Sequence, residues 1–187
     1  MSSQLIIPCN SGDCWVDKFN NFDDVGTVLY VGDSAAAANR DVRTWIPFTV
    51  NLPRGTVIEQ AYLTLTASST SNATVFTVNI GCEAADNPST PIDGADANGR
   101  SKGTYTNNVS LPQFVANNEV TWQIDNPIQE VLERPGFVYG NTLAVIIDDV
   151  DVTDKPHRAY SYEGDPAKRP YLTLNVVTYV PRTVGLI

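Results

Sequence analysis

Basic residues are scarce in this chain. Its 187 residues include 12 Lys and Arg against 21 Asp and Glu, a formal charge of -9. No Lys/Arg cluster stands ready to neutralise a run of phosphates, so nucleic acid is excluded as an expected partner. Long apolar runs are missing too: nothing approaches the roughly 20 residues of a membrane-spanning helix, and no membrane partner is expected. The opening "MSSQLIIPCNSGDC" has neither the basic n-region nor the long h-region of a signal peptide, which predicts synthesis in the cytoplasm. Histidine occurs once, at His157, and cysteine three times. That is too little for a Cys/His zinc site or a disulfide framework, and no cofactor is expected. Cys9 and Cys14 flank "NSGD", where a small local bridge is one reading, whereas Cys82 ends an alternating run and reads as a small buried hydrophobe.

What the chain does have is period-two alternation. In "AYLTLTA", Ala61, Leu63, Leu65 and Ala67 fall on one face and Tyr62, Thr64 and Thr66 on the other, the pattern of a half-buried strand. Residues 27–32, 43–50, 74–81, 119–124, 158–162 and 171–179 read similarly. "NTLAVIID" (141–148) is almost wholly apolar, which predicts a strand covered on both faces. One helix is announced, over 126–134: Asn126 to cap, Pro127 in the first turn, Gln129 reaching back, and Ile128, Val131 and Leu132 as its buried stripe. Pro135 and Gly136 stop it. About eight strands and one short helix predict an all-β fold, an antiparallel β-sandwich or jelly roll. The sandwich domain is placed at 15–179, with a long polar loop at 83–118. An N-terminal arm at 1–14 and a C-terminal arm at 180–187 flank it, and both carry apolar residues that a closed sandwich would not need.

Signals for chemistry are weak. "GDS" at 32–34 and "DKPH" at 154–157 are similar to the first and last blocks of GDS(L) esterases, with Ser34 as nucleophile, His157 as base and Asp154 as its orienter. The family's oxyanion block and alternating helices are missing, so the expectation is a turn and no catalytic residue. Asp148, Asp149 and Asp151 offer hard oxygen ligands for Ca²⁺, but spacing alone favours a solvated loop and no metal. "DGADANG" (93–99) lacks the spacing of a calcium loop and reads as turn chemistry. Trp45 and Trp122 lie in alternating strands and read as core, while Tyr62 and Tyr105 are candidate glycan contacts.

Three segments in order, "LPRGTVIEQAYLTLTAS", "NPIQEVLERPGFVYGNTLAVII" and "RAYSYEGDPAKRPYLTLNV", resemble β-sandwich modules of the DNRLRE type. Such modules occur in large bacterial surface and secreted proteins and in some phage structural proteins. The resemblance spans residues 15 to 179 and implies a sandwich closed by a hairpin, with Gly164 and Pro166 making its turn and no catalytic residue. A single module starting at Met1 without an export signal suits a virion part. The expectation that follows is a capsid decoration (cement) protein on the virion's outer surface, self-associating, with a trimer as one arrangement, and with the major capsid protein as partner. Leu5, Ile6 and Ile7 in one arm and Val184, Leu186 and Ile187 in the other would clamp neighbouring subunits. The alternative is a carbohydrate-binding module or tail-associated adhesin.

Overall fold

The computed structural model describes residues 2–32, 41–71, 75–150 and 156–177. Among them the chain runs β1 (Ser2–Pro8), β2 (Cys14–Asp17), β3 (Phe22–Asp23), β4 (Val28–Gly32), β5 (Val42–Thr49), β6 (Ile58–Thr66), β7 (Phe76–Glu83), α1 (Gly94–Gly99), β8 (Lys102–Leu111), β9 (Glu119–Gln123), α2 (Asp125–Glu133), β10 (Thr142–Asp149), β11 (Pro156–Tyr160) and β12 (Tyr171–Val177). One sheet has the order β1-β12-β6-β9, the facing sheet β3-β2-β5-β10-β7-β8, and β11 pairs with β4 in a two-stranded ladder that also bridges Ala67 at Ala159. Every pairing is antiparallel. The all-β sandwich expected from alternation is what forms, with twelve described strands in place of about eight.

Alternation decides which side chains meet between the sheets. Ala61, Leu63, Leu65 and Ala67 of the four-stranded sheet are fully buried, as are Leu172 and Leu174 beside them. They face Ile46, Phe48, Val78, Ile80, Leu143, Val145 and Ile147 of the other sheet. His157 is also fully buried, edge-on to the rings of Phe76 and Phe114 at 4.7 and 4.8 Å.

The apolar β10 is covered on both faces, as its composition predicts. Leu143, Val145 and Ile147 point to the main core, while Ala144 and Ile146 join Cys14 and Trp45 in a second apolar cluster on the outer face. The excursion between β7 and β8 covers that cluster. Trp45 Nε1 donates to Glu83 Oε2 at 2.6 Å, and Arg100 pairs with Glu83 while lying 5.6 Å over the Trp45 ring. Arg43 pins α1 from below, donating to the carbonyls of Ala97, Asn98 and Arg100. A hydrogen bond to a charged, buried acceptor is worth about 2 kcal/mol. Trp45→Phe is therefore expected to lower stability by about that much in urea unfolding, followed through the two remaining tryptophans.

Five expectations need correction. The segment 83–118 is not one loop: it holds α1 and the ten-residue β8. "DGADANG" is a short helix, not a turn, because Asp93 Oδ1 caps it by accepting from Asp96 N–H at 2.8 Å. Residues 2–8 are not a free arm, since Ser2 to Pro8 pair one-for-one with Val177 to Tyr171. The longer helix begins at Asp125 with Ile124 at the cap position and no side-chain cap. The predicted cap and its reach-back therefore do not form. Gln129 instead accepts from Ile58 N–H at 2.8 Å, and Asp125 accepts from Ala61 N–H at 2.5 Å, so both side chains tie the helix to β6.

The segment 161–170 is also not a hairpin. It carries the chain from β11, which pairs with β4 and bridges Ala67 through Ala159, to β12 between β1 and β6. Ser161 Oγ donates to Gly26 O at 2.6 Å, and Gly164 lies so close to Thr27 that a Cβ there would sit 2.2 Å from its carbonyl oxygen. Only glycine fits. The basic cluster after the turn covers tyrosine faces, with Lys168 4.9 Å from the Tyr160 ring and Arg169 5.3 Å from that of Tyr162.

Candidate interaction surface

Most residues singled out for chemistry are used up by structure. His157 Nε2 lies 3.1 Å from the Pro112 carbonyl, so that nitrogen is held as a donor, and the ring is sealed from solvent. Ser34 and Asp154 lie outside the described residues. Asp148 is bound by Arg43 (Nε to Oδ1, 2.7 Å) and Lys102 (Nζ to Oδ2, 2.6 Å). Burial pushes its carboxyl upward, but the two cations outweigh that and hold it below the ordinary carboxylate range. Successive strand residues point to opposite faces, so Asp148 and Asp149 do not present oxygens together; Asp151 lies outside the described residues. No group of three or more potential metal ligands occurs among the described residues.

Cysteine chemistry is muted. Cys9 belongs to the main core and Cys14 to the outer cluster, so they are not bridged, and Cys82 is buried as expected. Burial pushes all three thiols up, out of reach of the reactive thiolate form.

Tyr62 and Tyr105 are on different sheets. Tyr62 is half-buried on the four-stranded sheet between Thr173 and Gln123, whereas Tyr105 is 55% exposed on the edge strand β8. No shared platform of the kind a sugar ring would stack on follows from their register.

Among the described residues one apolar surface stands out at a strand edge. β1 forms an outer edge of the four-stranded sheet, and its side away from β12 pairs with no described strand. Leu5 and Ile7 are half-buried against the core, while Ile6, on the opposite face, is 65% exposed. The edge opens on two adjoining hollows, of about 340 and 530 Å³, which share Leu5 and Asn51. The larger is walled by Leu52, Val57, Val176 and Val177. Among the described residues Arg54 is the one charged residue lining either hollow, and it is tethered to the Pro135 carbonyl at 3.0 Å. A body of net charge -9 therefore has an edge that no carboxylate lines among the described residues. Edge strands usually carry charges or kinks that prevent pairing with another chain; β1 carries no charge, and its one proline stands at the end.

No family model and no curated protein matches the chain.

The surface thus includes Leu5, Ile6 and Ile7 from the sequence reading, but as parts of a folded strand. Val184, Leu186 and Ile187 lie outside the described residues. Leu52, Val57, Val176 and Val177 were missed as contact residues. The sequence signal for Leu52 and Val57 was the apolar residues of "LPRGTV", and for Val176 and Val177 the alternating run 171–179, both as consistent with burial as with contact.

Proposed function

We propose that this chain is a non-catalytic structural protein of the capsid decoration type. It docks on the outer surface of a phage shell, with the major capsid protein as partner and self-association on the particle. The observation that carries the reading is the uncharged β1 edge, with Ile6 65% exposed beside an apolar cleft, on a molecule of net charge -9. Such an edge favours β-strand addition by a neighbouring chain, where backbone hydrogen bonds give affinity and side-chain pockets give register. The acidic body is repelled by packaged nucleic acid and stays outward.

The test is a density-gradient separation of lysate from the source culture, followed by mass spectrometry of each fraction. The chain is expected to travel with capsid-sized particles at a copy number comparable to the shell protein. Recombinant Ile6→Lys, which keeps the β1 backbone ladder, is expected to lose particle binding while its unfolding midpoint changes little. A parent chain found only in the soluble or envelope fractions would sink the reading. Tyr105 favours a second reading, a glycan-binding module, through its exposure alone. That reading requires saccharide affinity that falls on Tyr105→Ala and is indifferent to Ile6→Lys.

A further inference from the structure

The outer face of the six-stranded sheet carries a polar row beside the Trp45 cluster. Arg43 of β5 stands opposite Asp148 of β10, Asp148 opposite Asn79 of β7, and Asn79 opposite Asn108 of β8. Directly opposed residues of antiparallel strands share a face, so these four side chains form one line across the sheet. Lys102 enters the line from the side. Its own backbone partner is Glu83, two same-face positions from Asn79, with Gly81 between them. The missing side chain at Gly81 leaves the channel for the Lys102 stem: a Cβ there would meet Lys102 Cδ at 3.0 Å and Thr106 Cγ2 at 2.9 Å. Along that channel Lys102 Nζ reaches Asn79 Oδ1 and, at 2.6 Å, Asp148 Oδ2.

The carboxamide is held in one orientation. Asn79 Nδ2 donates to Thr106 Oγ1 at 3.1 Å and to Asn108 Oδ1 at 2.7 Å, which turns Oδ1 toward the lysine. The Lys102 side chain is only 13% exposed and that of Asp148 22%. A mostly covered primary amine and carboxylate thus meet a half-buried side-chain amide, held by three neighbouring strands.

The geometry points to an intramolecular isopeptide bond between Lys102 and Asn79, with Asp148 as the proton carrier. Asp148 takes a proton from the ammonium, and the freed Nζ attacks Asn79 Cγ. The Nζ–Cγ bond forms and the Cγ–Nδ2 bond breaks. Nζ sheds two protons and Nδ2 gains two, so ammonia departs as ammonium; nothing is oxidised or reduced and no co-reactant is needed. Burial holds the Lys102 amine below its ordinary range, which makes the neutral nucleophile more accessible. Arg43, donating to both Asp148 oxygens, is a positioning residue for the carboxylate. The product joins β7 to β8 covalently and closes the base of the excursion that carries α1, whatever partner the protein binds.

The experiment is an intact-mass measurement on the purified full chain under denaturing conditions, with peptide mapping. The expected mass is that of the sequence less one ammonia, with a branched peptide linking positions 79 and 102. Lys102→Arg and Asn79→Ala are expected to show their full sequence masses. Gly81→Ala, which obstructs the channel, and Asp148→Asn, which removes the proton carrier, are expected to leave most of the chain unlinked. A parent chain at full sequence mass after prolonged incubation at mildly alkaline pH overturns the assignment. So does an ammonia loss that persists in Lys102→Arg, because Asn98 followed by Gly99 would then be its source, as a succinimide.

Discussion

Deleting residues 2–8 is expected to cost about 3 to 5 kcal/mol of folding stability, well beyond the loss of a binding arm. β1 contributes seven paired residues to one edge of the four-stranded sheet, and Leu5 and Ile7 cover the core beside Leu172 and Leu174. Two half-buried aliphatic side chains account for about 3 kcal/mol, and the stripped ladder adds to that. The deletion also bares the edge of β12, whose alternating apolar residues would then be open to pairing with other chains. The measurement is a urea midpoint for parent and truncated chains, with light scattering to follow association. An unchanged midpoint would mean that β1 is a detachable arm after all. Ile6→Lys separates the two roles, because it alters the exposed face and leaves the ladder in place.

The second large effect is a pH dependence centred on Asp13, which sits on the loop between β1 and β2. Asp13 is 2% exposed, and its Oδ2 accepts from the Tyr162 N–H at 3.0 Å, at the start of the segment that leads into β12. Burial is the main reason its carboxyl is raised from 3.8 to about 7, and the neighbouring Glu163 charge pushes in the same direction. A folded pKa above the unfolded one favours the protonated side chain in the fold. Its stabilising contribution is complete below about pH 4, declines as pH rises, and is lost above about pH 7, a change worth up to about 4 kcal/mol. Asp13→Asn keeps an acceptor for Tyr162 without the charge. Its stability is expected to match the parent near pH 4 and to exceed it progressively up to pH 8, in urea unfolding run across that range. Parallel curves for the two chains would show that Asp13 is ionised at no cost in the fold.

Both effects arise where distant parts of the chain meet, and this is where a reading of the sequence loses its grip. Ile58–Thr66 and Tyr171–Val177 were legible because one face of each is solidly apolar. The stripe of Ile128, Val131 and Leu132 was legible for the same reason. β8 was not: as an edge strand it is polar along nearly its whole length, so "KGTYTNNVSL" has no apolar alternation to reveal it. α1 is too short for a helical period, and its only local mark was Asp93 at the cap. β1 has apolar residues, but whether they reach outward or dock at home depends on β12, more than 160 residues away.

The candidate surface divides in the same way. Leu5, Ile6 and Ile7 stood out because their apolarity had no obvious place, whereas Val57, Val176 and Val177 join them only through folding. By itself the sequence determined the all-β class, the doubly covered β10 and the inward faces of β6 and β12, because periodicity is a local property. Tertiary structure alone decided that the N-terminal residues are a strand with an open edge. It also decided that Lys102 reaches Asn79 over Gly81 and that Asp13 is buried under Tyr162. Each of these depends on which strands become neighbours, and that is set by the packing of the whole core.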